Sequence, residues 1–389
     1  MRTLLIATLT AATVLLAASP TQASDVPEHM CDGEPATIVG TSGDDQLVGT
    51  DERDVIAGLR GEDRIDAGGG DDLVCGGEGR DWIRGGAGDD RIDIGERENG
   101  ASGPAGALLY TSSPNAVVVD LTTGTATGDG VDTIVARPGI EVVGSEYADV
   151  ITGSEGDDWL HGYLGDDRLR GLGGDDRLLL DSQDSDFVDG SNDDWADGGS
   201  GDDDVRGERG SDTLRGGPGN DYVQSWGYAP SGPSQLIGDS GDDVLRARLT
   251  GAHVLVDGGS GRDAVTLKSP LSRHPKQSRV TVRMVPQTLG LGASMVGRIR
   301  RIESVSVLDR MQLDYYGSPR ADRVHAGEDA RLRAWTSGGR DVVRGSRRSD
   351  VVDSGPGRDA VWAGRGSDTC LRAERRSSCE VVRPRSGPV

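Results

Sequence analysis

A period of nine constrains this chain more than any other feature. From Gly68 it reads "GGGDDLVCGGEGRDWIRGGAGDDRID", with aspartate at 72, 81 and 90 and an apolar residue two places later at Val74, Ile83 and Ile92. The frame runs without a gap from Gly40 to Asp93 as "GTSGDDQLV", "GTDERDVIA", "GLRGEDRID", "AGGGDDLVC", "GGEGRDWIR" and "GGAGDDRID". Further gapless blocks occupy 144–179, 189–224 and 336–371, and lone copies "GDSGDDVLR" and "GGSGRDAVT" begin at 238 and 258. A solvated charge run would need neither the glycines before each aspartate nor the apolar residue after it. Self-similarity at a short fixed period points instead to a solenoid, in which each unit buries its apolar residue against its neighbours.

Composition makes the period necessary. The 389 residues include 61 glycines, one Phe and 4% aromatics, with a net charge of -23. Without periodicity such a balance reads as disorder. It also predicts too little apolar surface for a conventional core, so that something else must offset the chain entropy. The charge is uneven: residues 24–100 and 101–266 carry -14 and -21, whereas 267–389 carry +11. An acidic rod with a basic end is expected.

Position six of every unit in the four blocks is aspartate, and position eight is apolar. This pattern resembles the hemolysin-type calcium-binding repeat of RTX proteins, G-G-x-G-x-D-x-U-x with U large and apolar. The resemblance implies an all-β, right-handed parallel β-roll or β-solenoid, in which each nonapeptide supplies a calcium-binding turn and a short strand and two nonapeptides complete a coil. It implies Ca2+ as the bound ion. The position-six residues, which become the candidate ligands, are Asp45, Asp54, Asp63, Asp72, Asp81 and Asp90; Asp149, Asp158, Asp167 and Asp176; Asp194, Asp203, Asp212 and Asp221; and Asp341, Asp350, Asp359 and Asp368.

With two units per coil, residue i lies above residue i+18 at the ~4.8 Å spacing of strands. Ten stacked pairs follow: 45/63, 54/72, 63/81, 72/90, 149/167, 158/176, 194/212, 203/221, 341/359 and 350/368. Like charges so placed repel by ~1 kcal/mol in water and ~3–4 kcal/mol at an effective dielectric of 20. A cation is therefore expected between them. Calcium suits carboxylates and turn carbonyls because it accepts six to eight oxygens in flexible geometry, whereas zinc would want His or Cys. Glu52, Tyr147, Asn192 and Arg348 replace glycine at position four and are expected to distort their turns. In the last block Arg340, Arg347, Arg348 and Arg358 crowd the turns and would repel an ion.

The expected organisation is a secretory signal at 1–23, an N-terminal cap at 24–39, and calcium repeats at 40–93, 144–266 and 336–371, with a C-terminal cap and tail at 372–389. Arg2, the apolar run to Ala18 and the small Thr21 and Ala23 carry the signal reading, which makes the protein secreted and extracellular. No later run is apolar enough to span a membrane. Arginine is preferred to lysine almost throughout, which suggests a GC-rich bacterial genome. The insert at 94–143, with its alternating "AVVVDL", is expected to continue the solenoid as longer strands without calcium, and 267–335 to repeat that outline in degenerate, basic form. Segments 94–106, 225–237 and 267–278 read as bulging loops.

Cys370 and Cys379 flank a short loop that a disulfide would close. Cys31 with Cys75 is the remaining pairing; straightforward stacking sets Cys31 over residue 67, so this bond requires the N-terminal segment to fold back. No catalytic constellation stands out. His29, His161, His253, His274 and His325 are scattered without H-E-x-x-H, and no G-x-S-x-G occurs. The expectation is a non-enzyme, with a solenoid polysaccharide lyase or epimerase as the alternative. Trp82, Trp159 and Trp195 at position seven are either a sugar-stacking platform or shields over the turns. The basic third would suit anionic cell-envelope polymers or another copy's acidic flank; nucleic acid is not expected for an exported chain.

Overall fold

Position eight points inward and positions seven and nine point outward, as the period of two in a strand requires. Thus Trp159–His161 reads half-buried, buried, half-buried, and Arg177–Leu179 repeats that order. The computed structural model describes residues 29–96, 103–135, 137–181, 192–226, 234–249, 254–268, 279–291, 294–308, 311–373, 375–377, 379 and 381–383. The secretory signal lies outside them. The described residues form strands and turns without a helix.

Successive nonapeptides alternate between two long sheets, of 16 and 21 strands. Within a block each strand pairs in parallel with the one 18 residues on: Ile65 sits beside Ile83 in the first sheet, and Ile56 beside Val74 in the second. The protein is a parallel β-roll. Between the sheets runs one continuous file of buried side chains, including Ile65, Ile83, Leu108, Val142, Leu160 and Leu178 from one side and Ile56, Val74, Ile92, Ile151 and Leu169 from the other. The expected lack of a core is therefore corrected. A thin core exists because the repeat delivers a Leu, Ile or Val to the same inward place on nearly every strand.

The two inserts do continue the roll, but not as long strands. In the first, Val118–Asp120, Thr125–Thr127 and Val131–Val135 form an antiparallel meander. Its last strand pairs in parallel with Arg91–Asp93 and its first with Val150–Thr152, so the meander is set into the stack in reverse chain order. The second insert repeats this topology: Arg279–Arg283, Thr288–Leu291 and Ser294–Arg300 run antiparallel, with Ser294–Arg300 beside Val254–Asp257 and Arg279–Arg283 beside Gln312–Tyr316. Of the expected loops, Ser225, Ser234–Ile237 and Leu267–Lys268 lie in strands; residues 97–102, 227–233 and 269–278 lie outside the described residues.

Both disulfides form, Cys31–Cys75 with Cα atoms 5.6 Å apart and Cys370–Cys379 with 5.8 Å. The first works because Cys31 is not in a coil. The hairpin Met30–Cys31 with Glu34–Pro35 lies over the outer face of the 21-stranded sheet, where Cys31, Val55 and Leu73 make a second small apolar cluster. Arg53 with Glu34 (2.8 Å) and Arg91 with Asp32 (2.6 Å) hold its rim.

Candidate metal ladders

Position six follows the turn and opens the strand, so its side chain faces the interior at the end of the apolar file. All eighteen candidate aspartates are placed there, and all but the exposed-end Asp45 are buried. In each of the ten anticipated pairs the lower residue's backbone N–H donates to the upper carboxylate's Oδ1: Asp54 to Asp72 at 2.8 Å, Asp158 to Asp176 at 2.8 Å, Asp203 to Asp221 at 2.9 Å, Asp341 to Asp359 at 3.0 Å, and so on. The loosest is Asp194 to Asp212 at 3.4 Å.

The columns are longer than the blocks suggest. Asp167 donates to Asp194 and Asp176 to Asp203 across a 27-residue step, both at 2.8 Å, which fuses the second and third blocks. Asp221 continues to Asp243 (2.9 Å) and Asp243 to Asp263 (3.0 Å), Asp90 to Asp132 (3.2 Å), and Asp322 to Asp341 (2.9 Å). Asp263 donates to Glu303 Oε2 (2.8 Å). The signal for Asp243, Asp263 and Asp322 is in the sequence, as "GDSGDDVLR", "GGSGRDAVT" and "GSPRADRVH" keep the frame. Where blocks begin again after the inserts, an apolar residue takes the aspartate place: Ile140 and Val117 donate their N–H to Asp158 and Asp149, and Leu332 donates to Asp350.

Oδ2 divides the aspartates into two classes. In six units with Ser or Thr at position two, that residue's backbone N–H donates to Oδ2 and its hydroxyl to the carboxylate: Thr41 to Asp45, Thr50 to Asp54, Ser145 to Asp149, Ser154 to Asp158, Ser318 to Asp322 and Ser346 to Asp350; Ser337, at positive φ, does not. The same hydroxyl accepts from the position-four N–H, as Thr50 does from Glu52 (3.1 Å), Ser145 from Tyr147 (3.1 Å) and Ser346 from Arg348 (2.9 Å). Three of the four position-four replacements are thus accounted for by a turn that needs no left-handed residue. The fourth, Asn192, donates to Asp181 (3.0 Å). The other turns mostly take positive φ at positions two and four, with glycine at both in some, as +114° at Gly77 and +135° at Gly79, and with Leu59, Tyr163, Leu172, Asp239 or Ser337 at position two in others. Without such a donor, Oδ2 is buried with no hydrogen bond at Asp63, Asp72, Asp81, Asp90, Asp167, Asp176, Asp194, Asp203, Asp212, Asp221, Asp243, Asp263, Asp341 and Asp359.

A buried anionic oxygen without a donor requires a proton or a cation. Burial, opposed by the N–H bond and reinforced by neighbouring carboxylates, pushes Asp72 up to about 6, Asp81 to about 7 and Asp176 to about 8. Asp194 reaches about 10 through burial and then the charge of Asp181. In the units with glycine at position one, the orphan Oδ2 lies against that glycine. A Cβ on Gly76 would strike Asp81 Oδ2 and come within 2.7 Å of the Ile94 carbonyl oxygen, and one on Gly162 would strike Asp167 Oδ2 and come within 2.8 Å of the Leu180 carbonyl oxygen. Carboxylate and carbonyl oxygens thus gather closely around these glycines. Among the described residues no three Asp, Glu, His or Cys side chains converge on one point. An ion held here would draw on one or two carboxylates and complete its shell with carbonyls and water, an all-oxygen donor set of the kind calcium accepts.

The tryptophans do not form a free platform. Guanidinium groups of Arg64 and Arg80 lie 5.2 and 5.3 Å from the Trp82 ring centre, those of Arg80 and Arg177 5.5 and 5.2 Å from Trp159, and that of Arg170 5.5 Å from Trp195. These are cation–π shields.

A parallel roll whose glycine turns stack buried, under-bonded carboxylates defines a class of cation-binding solenoid. The family model for the RTX calcium-binding nonapeptide repeat (4 copies) matches residues 39–74, 76–96, 143–178, 185–223 and 335–370. These five segments are similar to the RTX calcium-binding nonapeptide repeat. Comparison with curated proteins gave no match. Among solved structures, a hyperactive, Ca2+-dependent, β-helical antifreeze protein from an Antarctic bacterium is similar at 13% identity, over 85% of this chain and 84% of that one, with a TM-score of 0.20.

Proposed function

We propose that the chain is a secreted, non-catalytic protein whose roll is completed by several calcium ions and which serves outside the cell as a structural or adhesive rod. The observation that carries this reading is the set of orphan Oδ2 atoms. Calcium is held at the glycine-turn aspartates, now including Asp243 and Asp263, in segments 40–93, 144–266 and 336–371. The Ser and Thr turns at Asp45, Asp54, Asp149, Asp158 and Asp350 start the columns and draw an ion less strongly, because their Oδ2 already has donors. When bound, calcium supplies the positive charge that lets stacked carboxylates ionise without repulsion. The chain's own work is to fix carboxylate and carbonyl oxygens one coil apart and keep bulk water from them.

The rod meets anionic envelope polymers through its basic third. Equilibrium dialysis of the mature chain, paired with circular dichroism, tests the calcium reading. Saturable uptake of several ions below millimolar calcium is expected, with loss of β signal on chelation. No saturable uptake would refute it.

A further inference from the structure

The C-terminal part of the roll keeps the inner carboxylates but reverses the charge outside them. At position five of the 16-stranded sheet stand Asp157, Asp175, Asp202, Asn220 and Asp242, and then Arg262 and, beyond the second insert, Ala321, Arg340 and Arg358. Arg262 still reaches back to Asp242 at 2.8 Å. Arg340 and Arg358 are exposed, as is Arg323 at position seven, and among the described residues no carboxylate makes an ion pair with any of the three. Other outward arginines are engaged, Arg84 with Asp66, Arg372 with Asp353 and Arg177 on Trp159.

These arginines border a cleft of about 690 Å³. The short side chains of Val342 and Ala360, stacked at position seven, leave room between the arginine column and Trp362 at position nine. Trp362 is 46% exposed, and Arg344 lies 5.7 Å from its ring centre. The acids at the cleft face inward: Asp341 is buried and accepts the Asp322 N–H at Oδ1 (2.9 Å), and Glu303 accepts the Asp263 N–H (2.8 Å). What faces solvent is cationic, with one flat aromatic edge.

We propose that this cleft binds an anionic polysaccharide with carboxylates on its sugar rings, an assignment that rests on the docking of the basic third to envelope polymers. Arg340 and Arg358, one coil or ~4.8 Å apart, grip carboxylates through two-pronged charge-assisted hydrogen bonds. Trp362 packs against the apolar face of a sugar ring. A second copy's acidic flank fits less well. Its position-five carboxylates already accept N–H groups from the next coil, as Asp157 does from Asp175 and Asp175 from Asp202, and it offers Trp362 no flat partner.

The test is calorimetric titration of the calcium-loaded full chain with hyaluronan, with dextran as neutral control and inorganic polyphosphate as a sugar-free polyanion. Hyaluronan should bind and dextran should not. Arg340→Gln/Arg358→Gln should weaken hyaluronan binding about tenfold or more and Trp362→Ala about threefold, while Arg53→Gln/Arg60→Gln at the other end leaves it unchanged and all variants keep their calcium-dependent dichroism. Unaltered hyaluronan affinity in the double variant overturns the cleft and leaves docking intact. Binding of polyphosphate but not hyaluronan overturns the sugar assignment alone, and binding of neither overturns docking as well. Self-association abolished by the double variant, without hyaluronan binding, makes a second copy the occupant and overturns the proposal.

Discussion

Asp54 and Asp72 stand one above the other in the same column, yet they titrate in opposite directions. Burial acts on Asp54, but the N–H and hydroxyl of Thr50 and the hydroxyl of Thr37 outweigh it and hold its carboxyl low. Asp72 has one donor and is pushed up by burial to about 6. Asp167, Asp176, Asp212 and Asp221 reach about 8 for the same first cause. A raised folded-state pKa means that the calcium-free fold holds more protons than the unfolded chain between ~4 and ~8, so its stability is full below that window and is lost as pH rises through it. Melting temperature in chelator should therefore fall from pH 5 to pH 8.5, with the gain on adding calcium largest at the alkaline end; a rise in chelator would refute the assignment. Asp203→Asn keeps an acceptor for Asp176 but removes the charge. It should raise the chelated protein's melting temperature at pH 8 and diminish its calcium response. Gly171→Ala would drive a Cβ into Asp176 Oδ2 and the Gly198 carbonyl, whereas Gly43→Ala meets only the Thr41 hydroxyl at 4.0 Å. Urea unfolding should show a loss of ~1–3 kcal/mol for the first and little for the second. The aspartates were legible in the sequence because the period marks them; the split at Oδ2 was not, because it depends on which donor the folded turn turns inward.

At the scale of elements, strand placement was legible, and so was the parallel direction of the repeat strands, but not the direction of the insert strands. Position eight marks every strand of the blocks, since an apolar residue between two polar ones can be buried only one way. Alternation in "AVVVDL" identified a strand as well, but it carries no sign for parallel or antiparallel. The meanders arise because Val131–Val135, rather than Val118–Asp120, takes the place beside Arg91–Asp93. The N-terminal hairpin was similarly hidden, and its bond to Cys75 closes a separation of 44 residues, against 9 for Cys370–Cys379. On loop length the chain-entropy relation gives ~4 kcal/mol for the first and ~2.5 kcal/mol for the second. Urea titration of Cys31→Ser/Cys75→Ser and Cys370→Ser/Cys379→Ser should reproduce that order, and equal losses would show that the hairpin contributes nothing through its link.

For the whole molecule, sixteen strands in one sheet at ~4.8 Å spacing make a rod of about 70 Å. Its hydrophobic file is one or two side chains wide per coil, so cohesion is shared with whatever neutralises the carboxylates. Each calcium site at ten times its dissociation constant adds ~1.4 kcal/mol. Calcium titration followed by light scattering should show the chelated chain contracting to the rod as sites fill at neutral pH, with the long array through Asp176, Asp203, Asp221, Asp243 and Asp263 responding first; an unchanged radius would count against calcium-coupled folding. By itself the sequence determined the roll, its nine-residue frame, the inward file and the aspartate columns, because a periodic chain repeats each local solution at every coil. Only the tertiary structure decided how columns join across the 27-residue step, which Oδ2 atoms lack donors, how the meanders enter the stack and where Arg340, Arg358 and Trp362 meet. Those outcomes depend on contacts between coils, which a linear pattern does not encode.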